Sequence, residues 1–105
     1  MERDKTWLLV YRYPDMETAG VAYVRARDII FGEDIDASAY RVQINGVPHV
    51  VVLGEGPLAA DLRHRFETAC ESGEAAELPA DARAALLKRR LEGRIPGAFW
   101  ERRSL

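Results

Sequence analysis

Hydrophobic positions dominate the run Lys5-Thr6-Trp7-Leu8-Leu9-Val10-Tyr11-Arg12-Tyr13, which Pro14 stops. Two apolar sets alternate along it: Trp7, Leu9, Tyr11 and Tyr13 on one side, Leu8 and Val10 on the other. Aromatic and β-branched content predicts a strand, and apolar residues on both sides predict a central one with cover on each face. After Pro14 the period lengthens. Met16, Ala19, Gly20, Tyr23, Ala26, Arg27 and Ile30 follow helical spacing and predict a helix over residues 15–31. Asp15 suits its N-cap, Glu17 lies in the first turn where the helix dipole favours an anion, and Gly32 stands where a C-cap is expected.

An acidic loop at residues 33–38 follows, and then Tyr40, Val42 and Ile44 alternate with Arg41, Gln43 and Asn45. That is a half-exposed strand. Asn45-Gly46 signals a hairpin, and residues 47–53 are almost wholly apolar, so they predict a second central strand. Gly54-Glu55-Gly56-Pro57 turns the chain, with Pro57 suited to the first position of a helix. Leu58, Leu62, Phe66, Ala69 and Cys70 then share one helix face, which makes Phe66 a predicted core residue, and Gly73 ends the segment. A short fourth strand at 74–78 remains open: the composition is poor for a strand, although Pro79 biases Leu78 toward extended geometry. Residues 80–92 predict a further helix, broken by Gly93, Pro96 and Gly97.

The expected fold class is therefore α+β. The order β-α-β-β-α over residues 6–73 resembles the ferredoxin-like superfold, which implies an antiparallel sheet with two helices on one face. Residues 1–78 form the α+β sandwich, and residues 79–105 add a C-terminal helix and a basic, aromatic tail to the same domain. The superfold hosts unrelated activities, so the resemblance implies none.

Hairpin register decides which side chains share a face. A two-residue Asn45-Gly46 turn pairs Val42 with His49; a three-residue loop with Gly46 left-handed pairs Tyr40 with Val50 and turns His49 over. The second register is preferred, because it sets Tyr40, Val42, Val50 and Val52 against the helices and leaves Arg41 and Gln43 in water. His49 then joins Trp7, Leu9, Tyr11, Val51 and Leu53 on an uncovered sheet face.

Composition changes little in this picture. The chain has 105 residues, 48% hydrophobic and 30% charged, with a net charge of -2, which excludes collagenous, disordered and disulfide-stapled classes. No apolar stretch approaches the roughly 20 residues of a membrane helix. Met1-Glu2-Arg3-Asp4-Lys5 does not lead into a signal-like apolar run, and the single cysteine fits a reducing compartment, so a cytoplasmic protein is expected. Charge is unevenly spread: residues 83–105 hold 7 Lys and Arg against 2 Asp and Glu, whereas residues 1–82 hold 8 against 15. A basic segment lying on an acidic body is the simpler reading. A nucleic-acid surface built from Arg83, Lys88, Arg89, Arg90 and Arg94 is the alternative, opposed by the acidic balance and by a strand at 47–53 that lacks the basic-glycine-aromatic pattern of RNA recognition motifs.

Candidate chemistry is sparse. Asp34-Ile35-Asp36 starts like a calcium loop, but Ala39 and Asn45 occupy the positions that need Gly and Glu. One Cys and two His on different elements give no zinc spacing, Cys70 falls on an apolar helix face, and Glu55 sits where a phosphate would approach the glycine-rich turn. No catalytic residue, metal or cofactor is expected. Trp7, Tyr11 and His49 are candidate ligand-binding residues on the uncovered face. Trp7, Leu9, Tyr11, Val51 and Leu53, with Phe99 and Trp100 of the tail, are candidate interface residues of a homodimer or of a complex with another protein. Residues 94–103 are expected to be ordered, with Trp100 buried.

Overall fold

The computed structural model describes residues 6–93 and 100–104. Strand β1 (Thr6–Arg12) leads into helix α1 (Met16–Glu33), and a hairpin joins β2 (Ala37–Ile44) to β3 (Val47–Glu55). Helix α2 (Ala60–Ala69), the two-residue β4 (Glu74–Ala75), helix α3 (Ala80–Gly93) and β5 (Trp100–Ser104) complete the order. The sheet runs β4-β1-β3-β2-β5. Its first four strands are antiparallel neighbours, and β5 joins the outer edge of β2 in parallel.

Local chemistry explains most boundaries. The Asp15 side chain accepts from the Thr18 backbone N–H and hydroxyl at 2.7 and 2.8 Å, capping α1 as expected. Its far end differs: the left-handed cap residue is Asp34, not Gly32, and the Asp34 N–H donates to the Ile30 carbonyl. Helix α2 begins at Ala60, three residues later than Pro57 suggests, and its N-cap Ala59 has no side chain able to accept from the first turn. The fourth strand exists, reduced to two residues on β1.

The hairpin takes the register not preferred from the sequence. Asn45 and Gly46 both have positive φ, 54° and 81°, and form a two-residue turn that sets Val42 opposite His49 and Tyr40 opposite Val51. Such a turn matches the right-handed twist of its strands, and Asn-Gly tolerates both left-handed positions. The expectation that Arg41 and Gln43 need water also fails. Arg41 lies beneath α1 with its guanidinium 5.5 Å from the centre of the Tyr23 ring, and Gln43 Nε2 lies 3.2 Å from Met16 Sδ.

Both sheet faces are covered, so there are two apolar layers. Against α1 and α2 pack Leu9, Val50 and Val52 of the sheet with Ala19, Ala26, Ile30 and Phe66 of the helices. Phe66 is fully buried, as predicted. On the other face Val10, Tyr40, Val42, Ile44, Val51 and Leu53 meet Leu86 of α3. The uncovered face expected from the sequence is thus the seat of α3.

Candidate interaction surface

The register separates the side chains that sequence reasoning grouped. Trp7, Leu9 and Tyr11 belong to the layer under α1 and α2, whereas Val51 and Leu53 belong to the layer under α3. Leu9, Val51 and Leu53 are buried. Trp7 lies over Gly54, where a Cβ would come within 2.2 Å of the ring, and its centroid is 5.9 Å from that of Phe66. His49 is buried on the α3 face, its Nδ1 2.8 Å from the Val47 carbonyl. Tyr11 faces α2, and burial, followed by the nearby Cys70 and Glu67, raises its phenol above the ordinary value. Tyr11 and His49 therefore line no common pocket, because the sheet stands between them. Phe99 lies outside the described residues. Trp100 is placed only by its backbone, which sits opposite Arg41 on the edge of β2. Of the expected ordered tail, residues 94–99 likewise fall outside the description.

The basic segment is partly consumed by the fold. Arg90, one of the five residues offered to a nucleic acid, is buried; it donates to Ser38 Oγ at 2.7 Å, pairs with the Asp36 carboxylate and reaches within 3.9 Å of Glu55. It ties α3 to the acidic loop, as a basic segment lying on an acidic body would. Among the described residues, no group of three or more His, Cys, Asp and Glu is arranged to hold a metal, and no helix is long and apolar enough to cross a membrane.

The surface that sequence reasoning missed is the outer side of α1. Val21, Val24 and Phe31 are 50%, 41% and 54% exposed, three of the four large hydrophobic side chains exposed among the described residues. Their spacing of three and then seven residues aligns them along the helix, on the side opposite the buried Ala19, Ala22, Tyr23, Ala26 and Ile30. Exposed Asp28 lies on the same stripe and exposed Arg25 flanks it. Beside it Met16, Gly20, Val21, Val24 and Arg41 bound a shallow depression of about 540 Å³. A Cβ on Gly20 would come within 2.5 Å of Arg41 Nη1, the far end of a flexible side chain that can shift aside. The signal was present in the sequence. The segment METAGVAYVRARDIIFGE has a second apolar stripe, and a helix that is apolar on more than one side is ordinarily covered on more than one side.

No family model matches the chain, and no curated protein or solved structure matches it.

Proposed function

We propose that this chain is a non-enzymatic module that binds protein, itself included, and that its docking face is the outer side of α1. The observation that carries the reading is the alignment of Val21, Val24 and Phe31 on a solvent-facing helix surface. Single exposed apolar residues need no explanation, but an aligned set on one helix face, beside a shallow depression that Glu17, Arg25 and Arg41 also line, supports an interface. The magnitude sets the kind of complex. Completing the burial of three half-exposed side chains contributes roughly 1 kcal/mol each, while micromolar affinity needs about 8 kcal/mol. The stripe therefore supplies the apolar part of a modest interface, with Asp28 among its apolar residues and Arg25 and Glu17 on its flanks.

The order β4-β1-β3-β2 with α1 and α2 on one face supports reading this part as ferredoxin-like, with α3 and β5 as additions to it. In that arrangement α1 lies over β2 and β3 and turns Val21, Val24 and Phe31 to solvent. The alternative of a small-molecule site at His49 and Tyr11 loses its support, because the two residues lie on opposite faces of the sheet.

A photo-crosslinking amino acid placed at position 24 tests the reading in cells that express the protein, with one at exposed Arg63 on α2 as control. A discrete crosslinked species from position 24 and none from position 63 is expected. No product from position 24, or equal products from both, removes the docking face.

A further inference from the structure

We infer that the occupant of the α1 face is a second copy of this chain, packed antiparallel across a two-fold axis centred between Ala26 and Arg27. The inference rests on the docking face proposed above and adds its partner and register. One antiparallel register satisfies three separate features of the stripe. With Arg25 level with Asp28 of the partner subunit, Val21 is level with Gly32 of the partner subunit. Phe31 then lies two residues, or about 3 Å along the axis, from the level of Val24 of the partner subunit. A two-fold axis keeps one flank of the stripe on the same side in both copies. At 3.6 residues per turn, Val21, Arg25 and Gly32 fall on one flank with Asp28 near the midline, while Val24 and Phe31 fall on the other. Residues that match in height therefore also match in side.

Charge and size support this register independently. Asp28 is 67% exposed, its ion pair to Arg27 is stretched to 3.8 Å, and Arg25 is exposed beside it. The two-fold makes two complementary Arg25–Asp28 contacts across the helices. Gly32 lies within α1, where glycine weakens a helix, and a Cβ there would meet nothing within 4 Å in its own chain. The same register brings Val21 of the partner subunit to that gap. An isologous contact also uses each apolar side chain twice, which turns a stripe too small for a one-sided complex into a working dimer centre.

Exchange of the two charges tests the register. In light scattering after size exclusion, the wild-type chain is expected to dimerise with a dissociation constant in the tens of micromolar. Arg25→Asp and Asp28→Arg alone each place like charges together at both contacts, and each is expected to weaken self-association at least tenfold while the circular dichroism stays unchanged. Mixing the two variants restores both contacts in a heterodimer, as does the double exchange within one chain. The inference is overturned if the wild-type chain stays monomeric at several hundred micromolar, if either single variant dimerises like wild type, or if mixing restores nothing. Those failures are distinct from failure of the docking face itself. A crosslink from position 24 to a protein other than this chain would leave that face standing and remove only the second copy as its occupant.

Discussion

Tyr13 follows the last residue of β1 and is almost fully buried; its ring fills the space that a Cβ on Gly73 would need, and its hydroxyl donates to the Cys70 carbonyl at 3.1 Å. Burial raises the Tyr13 phenol far above its ordinary value of 10.0 and raises the Cys70 thiol above 9.0. Both groups lose their protons more readily in the unfolded chain, so their contribution to stability is complete below those ordinary values and is lost as pH rises toward the folded ones. The urea midpoint is expected to be flat near neutrality, to fall from about pH 9 and to steepen beyond pH 10. Tyr13→Phe keeps the ring and removes one titrating group, so the fall should become shallower; an unchanged slope would show that Tyr13 is not held neutral. The sequence placed Cys70, which is buried, on an apolar helix face. It gave no sign of the carbonyl contact with Tyr13, which joins residues 57 positions apart.

At the level of elements, what was legible depended on how many physical constraints agreed. Helix α1 had a capping side chain, an acidic first turn and a 3.6-residue period pointing one way, and only its C-cap moved, from Gly32 to Asp34. Phe66 was fixed by its spacing from Leu58 and Leu62, all three of which pack in one layer. The β2–β3 register had no such agreement. Alternation tells which residues share a face, not which face is wet, and here the wetter face is only partly so: Tyr40 and Val42 lie buried under α3 while Arg41, half-buried, packs on the Tyr23 ring. The turn type carried the missing information. Gly46→Val forces a β-branched residue into left-handed geometry and should cost roughly 1–3 kcal/mol. The denaturation midpoint should drop, with amide exchange rising first along β2 and β3. A variant as stable as wild type would mean that the turn does not hold the register.

Over the whole molecule the sheet separates two layers of unequal thickness. Two helices and much of the aromatic content lie on one side, while the other depends on α3, whose deeply buried residues, among those whose side chains are described, are Ala82, Leu86 and Arg90. The Arg90 guanidinium supplies the Ser38 hydroxyl, itself 1% exposed, and pairs with an Asp36 carboxylate that is 64% exposed. Arg90→Met keeps much of the bulk and removes these donors, at a cost of roughly 1–3 kcal/mol. Hydrogen exchange should show α3 losing protection while α1 keeps it, since partial opening follows the least well-packed unit. Equal loss in both helices would show that the layers open together.

That imbalance has a consequence for handling the protein. When α3 lifts, Val10, Tyr40, Val42, Ile44 and Val51 become a contiguous apolar patch on three neighbouring strands while the rest of the chain keeps its fold. Such a patch adheres to copies of itself. Shelf life is then governed by how often one helix detaches rather than by the global melting temperature, and turbidity on storage should rise for Arg90→Met well below the temperature at which the main layer unfolds.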